Sequence, residues 1–117
     1  RHMKLPNADR AIVPPAKIVN YLLSPTHRAG KSKAAFFSSF GFSVNDWPAM
    51  TTALRRHATE NAVSMTEETE FGLRYVVDGP MRAPDETLLN VRSVWYIDAE
   101  GDAPRFVTAH PLRKETR

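Results

Sequence analysis

Near Asn61 the spacing of apolar residues changes from the period of a helix to that of a strand. Before it, Ile18, Val19, Leu22 and Leu23, and then Trp47, Met50, Leu54 and Ala58, recur at helical intervals. After it, Phe71, Leu73, Tyr75 and Val77 share one face of an extended segment, with Arg74 and Asp78 on the other. Helices that precede strands, instead of alternating with them, predict an α+β fold: two or three N-terminal helices packed on a three- to four-stranded antiparallel sheet.

Local signals divide the chain further. Pro14-Pro15 presets the start of a first helix over Ala16 to Leu23, which Ser24-Pro25 ends. A second helix is expected from Lys31 to about Phe40, with Gly41 as its stop; its Phe36, Phe37 and Phe40 read as core and not as a base-stacking platform. Asn45 or Asp46 caps a third helix, with Pro48 in its first turn. Arg55, Arg56 and His57 stand at its far end, where cations suit the helix dipole.

Met65 to Glu70 suggests an edge segment with a solvated E-E-T-E run. The next strand is expected to break at Gly79-Pro80. Leu88 to Ile97 reads as the central strand, with Asp98 to Ala103 connecting it to a last strand at Arg105 to His110. The chain of 117 residues suits one core. Residues 1–3 read as a cloning remnant, 4–113 as a single domain and 114–117 as a tail.

The stretch Tyr21 to Phe37 breaks a rule of helix design. Lys31 and Lys33 open a helix, where the dipole favours acids, and His27 and Arg28 lie just before them. Cations there, beside backbone N–H groups at a helix start, describe an anion site. The whole segment from Lys4 to Arg56 leans the same way, with Lys4, Arg10, Lys17, Arg28, Lys31, Lys33, Arg55 and Arg56 against Asp9 and Asp46. A cationic helical half suits a phosphate-rich partner.

Other chemistries find less support. The chain has no cysteine, so thiolate metal sites and cysteine nucleophiles are excluded. Asp98, Glu100 and Asp102 alternate as calcium ligands do, but the rest of an EF-hand loop is missing. No metal or cofactor is expected. No apolar run approaches the roughly 20 residues that span a bilayer, so no membrane association is expected and the cytoplasm is the default compartment.

RNA cleavage by the neighbouring 2'-hydroxyl asks for a base, an acid and cations on the phosphate. His27, Lys31, Lys33, Arg92 and Thr108 are residue types suited to catalysis of that kind, and Arg28, Arg74 and Arg105 to contact with the RNA backbone. Histidine titrates near neutrality, and a lysine among other cations can lose its proton more readily.

The segments L-P-N-A-D-R-A at Leu5 to Ala11, Y-L-L-S-P-x-H-x-x-G-K-x-K-A-x-x-F at Tyr21 to Phe37, F-G at Phe40-Gly41, G-x-R-Y at Gly72 to Tyr75, R-S-x-W at Arg92 to Trp95 and P-R-x-V-T-A-x-P at Pro104 to Pro111 resemble a small bacterial domain family of unknown function. A similar order occurs at the C-termini of contact-dependent growth-inhibition toxins, grouped with the barnase, EndoU, colicin and RelE-like ribonucleases. The resemblance implies helices before an antiparallel sheet and metal-free RNA cleavage. Carried over by position, it implies His27, Lys31 and Lys33 on the helical side and Arg92, Arg105 and Thr108 on the sheet. Trp95 shares a strand face with Val91 and Ile97 and reads as structural.

Two functions are thus expected. The first is a metal-independent endoribonuclease, the toxin of a bacterial toxin-antitoxin pair acting on tRNA or mRNA. The alternative is a non-catalytic module that binds RNA or a protein of the antitoxin or immunity type. Either implies RNA or a small cognate protein as partner.

Overall fold

The computed structural model describes residues 3–24, 26–28 and 31–112. Pro25 and Gly30, which frame the expected cationic loop, and the expected tail at 114–117 lie outside them. Three helices precede a four-stranded antiparallel sheet: α1 at Pro15–Lys17, α2 at Lys31–Ser38, α3 at Trp47–Glu60, then β1 at Val63–Thr69, β2 at Gly72–Arg82, β3 at Leu88–Asp98 and β4 at Arg105–Pro111. The strands lie in chain order, as a meander.

α1 continues directly into a π-helical turn at Ile18–Leu22, in which Leu23 N–H reaches back to Ile18 O at 2.8 Å. This turn buries Ile18 and Leu22 while Tyr21 stays partly exposed. In α2, Ala34 and Phe37 are buried, and Phe36 and Phe40 pack at the rim of the core. The phenylalanines therefore do structural work, meeting edge to face with centroids 5.1 to 5.9 Å apart. Gly41 ends the helix at φ 106, where a Cβ would come within 3.1 Å of Pro84. α3 places Met50, Leu54, His57 and Ala58 inward.

The inner face of the sheet contributes Tyr75, Val77 and Met81 from β2, Leu89, Val91, Trp95 and Ile97 from β3, and Phe106 and Ala109 from β4. Phe106 and Ala109 can both face inward, despite being three residues apart, because β4 bulges: Trp95 is opposite Phe106 and Val94 opposite Thr108, leaving Val107 extra.

Two expectations need correction. β2 does not break at Gly79-Pro80 but pairs with β3 as far as Arg82. Phe71 O accepts from Ala99 N–H, so odd-numbered β2 residues bond toward β3 and even-numbered ones toward β1. Pro80 thus turns its nitrogen to the β1 side. β1 pairs no further along β2 than Val77, so the missing N–H interrupts no ladder.

His57 is the second. It is 1% exposed, not a surface cation beside Arg55 and Arg56. Its Nε2 lies 3.0 Å from Gly79 O and 2.9 Å from Val91 O, and its Nδ1 2.9 Å from Ser93 Oγ. Carbonyls only accept, so Nε2 carries the proton and Ser93 donates to Nδ1. Trp95 Nε1 donates to the same Ser93 oxygen at 2.8 Å. Burial pushes the His57 pKa below its ordinary value, against the raising effect of the two carbonyls and of Asp78 and Glu60. Neutral His57 is a core joint tying α3 to β2 and β3.

Candidate functional site

The helices meet the sheet edge at β4. Ile12 forms a parallel bridge with Arg105, and Lys17 Nζ donates to Val107 O at 3.1 Å, inside the bulge. One turn later the phenolic oxygen of Tyr21 lies 2.7 Å from Thr108 Oγ1. Lys17 and Lys33 hold their ammonium groups 5.3 and 5.4 Å from the centroid of the Tyr21 ring. His27 approaches the ring edge-on at 5.1 Å. The Ser24 hydroxyl supports that histidine's backbone, accepting from the N–H groups of Thr26 and His27.

These five side chains come from α1 and its π turn, the following loop, α2 and the β4 bulge. Partial burial pushes the Tyr21 phenol up, but the hydrogen bonds from Thr108 and Lys33 and the positive charges of Lys33 and Lys17 outweigh it. The pKa of Tyr21 accordingly lies below the ordinary tyrosine value. The result is a partly exposed phenol that releases its proton more readily than a free tyrosine, with two ammonium groups and an imidazole around it.

The residues expected from sequence are distributed unevenly around this cluster. His27, Lys33 and Thr108 join it. Lys31 stands two positions from Lys33, about 200° around a helix, and borders a groove of about 620 Å³ with Leu23, Ala35, Ser38, Phe42 and Val44. The N–H of Lys31 is also taken, by His27 O at 2.9 Å, so it offers an anion nothing there. Arg28 is exposed in the loop.

The three arginines expected on the sheet are each engaged by a carboxylate. Arg92 grips Asp78 through two bonds of 2.8 and 2.9 Å. Arg74 pairs with Glu67 at 3.3 Å, and Arg105 with Asp98 at 3.1 Å while lying over Tyr96. Hydrogen bonding to Arg92 draws the Asp78 pKa down, more strongly than burial raises it, and Asp78 in turn raises that of Arg92.

Lys17 and Tyr21 are the members that residue-type reasoning passed over. Their signal was present: they are four apart, which puts them on one helix face, and Tyr21 opens the Y-L-L-S-P-x-H segment. Among the described residues no group of three or more histidines and carboxylates is placed to hold a metal ion. No helix among them is long and apolar enough to cross a membrane.

A family model described as a domain of unknown function, DUF6883, matches residues 4–113. The chain belongs to this family. No curated protein matches the chain by sequence. In three dimensions the DUF6883 domain is similar to a chain of the contact-dependent growth inhibition toxin–immunity protein complex from Klebsiella pneumoniae 342. The TM-score is 0.67 over 86% of this chain and 99% of that one, at 14% identity. Similarity at that identity shows a shared fold.

Proposed function

We propose that this domain is an endoribonuclease that needs no metal, acting as the toxin of a bacterial toxin-antitoxin pair on tRNA or mRNA in the cytoplasm. The observation that carries the reading is the convergence of Tyr21, His27, Lys17, Lys33 and Thr108 on the bulged edge of β4. It joins proton-transfer groups to cations at a partly exposed surface. The fold shared with a chain of a toxin–immunity complex is consistent with this role and with a small cognate protein as inhibitor.

The reaction assigned is transesterification. The 2'-oxygen attacks phosphorus, its proton passes to Tyr21 in its ionised form, which the lowered pKa favours, and the P–O5' bond breaks. His27 supplies a proton to the departing 5'-oxygen, leaving a 2',3'-cyclic phosphate. Lys33 and Lys17 stabilise the charge that builds on the phosphoryl oxygens, and Thr108 orients the phenol. Lys17 retains donors beyond the one given to Val107 O, since an ammonium has three. Arg28 extends the cationic surface. Arg74 and Arg105 reach RNA by exchanging Glu67 and Asp98 for phosphate, and Arg92 braces β3 against β2 by holding Asp78.

Incubation of the purified chain with total tRNA and a generic mRNA, in the presence of a chelator, tests the reading. Discrete fragments with cyclic phosphate ends are expected, absent for Tyr21→Phe and slowed about a hundredfold or more for Lys33→Ala. RNA that is bound in a salt-dependent way but left intact by folded protein would replace the enzyme with a binding module.

A further inference from the structure

The two edges of the sheet are treated differently. On β4 the backbone is occupied over its first half, where Ile12 N–H bonds Pro104 O, Phe106 N–H bonds Ile12 O and Lys17 caps Val107 O, and Ala109 farther along is fully buried. β1 is covered only at its start, where Val63 N–H bonds Met3 O at 2.6 Å. Beyond that point every residue from Ser64 to Phe71 is exposed, on both faces of the ribbon. Met65 is 48% and Phe71 69% exposed, apolar side chains with no helix over them.

The direction of the β1 backbone follows from the hairpin register. Even-numbered β2 residues bond toward β1, and their partners there are odd-numbered: Gly72 with Thr69, Arg74 with Glu67, Val76 with Met65. Thr66 and Glu68 therefore turn both their N–H and their C=O groups outward. Among the described residues neither has another backbone partner. The edge offers two donors and two acceptors at the spacing of a further strand.

Its charge selects the occupant. Residues 63–70 contain Glu67, Glu68 and Glu70 and no lysine or arginine, in a chain of net charge +3; Glu67 is met across the hairpin by Arg74, so Glu68 and Glu70 carry most of the edge's charge. Pairing with a second copy of this edge would set glutamates against glutamates, which is unfavourable directly across strands. We propose that β1 is a docking edge for an extended strand of a partner protein that carries lysine or arginine at alternate positions, joined to Thr66 and Glu68 by main-chain hydrogen bonds. The edge lies three strand spacings, about 14 Å, from β4, so a docked strand leaves the Tyr21 cluster open. The inference does not depend on the nuclease reading.

The test titrates the folded chain with a soluble peptide of alternating lysine and valine, followed by backbone amide NMR, with a glutamate–valine peptide as comparison. Saturable shifts at Thr66 and Glu68 are expected with the lysine peptide alone. Thr66→Pro, which removes one outward donor, should weaken binding about tenfold at unchanged melting temperature. Glu67→Lys with Glu68→Lys should reverse the preference between peptides, a readout that survives if the proline variant folds poorly. Equal binding of both peptides, shifts centred on β4, no saturable shift at millimolar peptide, or dimerisation of the free chain through β1 would each overturn the proposal.

Discussion

The Tyr21 hydroxyl and Thr108 Oγ1 lie 2.7 Å apart, although their residues are separated by 87 positions in the chain. Their contact joins the first helical segment to the last strand and points the phenol at the one part of β4 where the ladder bulges. Lys33, brought in by α2, completes the environment that holds the phenol below its ordinary pKa. Thr108→Val should therefore leave the fold intact and lower cleavage by about fivefold, as expected for loss of an orienting hydrogen bond worth roughly 1 kcal/mol. Single-turnover rates on a defined RNA, read beside thermal melts, would measure this.

Tyr21, isolated in an ultraviolet titration by difference from Tyr21→Phe, should ionise at lower pH than free tyrosine, and Lys33→Met should move it back toward the ordinary value. The sign for stability follows from the lowered pKa. The folded state releases this proton first, so the contribution is fully present above the ordinary tyrosine value and is lost as pH falls through the folded one. The stability of wild type relative to Tyr21→Phe should thus rise with pH in the alkaline range, measurable by urea denaturation.

The two lysines of α2 should separate cleanly. Lys33→Ala should lower the cleavage rate by about a hundredfold or more, the scale of a lost oxyanion donor. Lys31→Ala, on the groove side of the helix, should stay within a few-fold of wild type. Equal losses would place the reacting phosphate at the groove instead.

His57→Ala should cost about 2–4 kcal/mol of stability, because it opens a cavity and strands Ser93 and two carbonyls. With a folded pKa below the unfolded one, wild type keeps this contribution in full above about 6.5. It loses it as pH falls through the folded value. Melts at successive pH values should show that acid slope in wild type and its flattening in His57→Gln.

Arg92→Ala should reduce stability first and activity only in proportion. A double-mutant cycle with Asp78→Ala should give a coupling of about 1 kcal/mol, since the pair is partly open to solvent. Asp78 has a lowered pKa, so its contribution is present above the ordinary carboxylate value and disappears as pH drops through the folded one. Loss of cleavage by Arg92→Ala at full stability would instead give the guanidinium a direct role.

The order of elements was legible because apolar periodicity is local: Trp47, Met50, Leu54 and Ala58 mark their helix wherever it packs, and the strands around Tyr75 and Trp95 announce themselves by alternation. Gly79-Pro80 misled because the cost of a proline depends on whether a neighbour needs its N–H, and that follows from where β1 stops. His57 misled for a similar reason. Beside two arginines it reads as a surface cation, and only the approach of Gly79, Val91 and Ser93 makes it a neutral joint. In the candidate site, the cationic loop and Thr108 could be named from residue types, while the choice of Lys33 over Lys31 required the helix to be placed. Lys17 counted only toward the cationic half and Tyr21 only as the start of the stretch that ends at Phe37 until β4 arrived beside them.

The π turn at Ile18–Leu22 gives this domain an unusual vulnerability. Such a turn holds one residue more than an α-helix requires. The extra residue is absorbed in the wider winding, which keeps Ile18 and Leu22 buried while Tyr21 reaches Thr108. The same five residues thus serve the core and the candidate site at once, so a deletion within them would disturb both together.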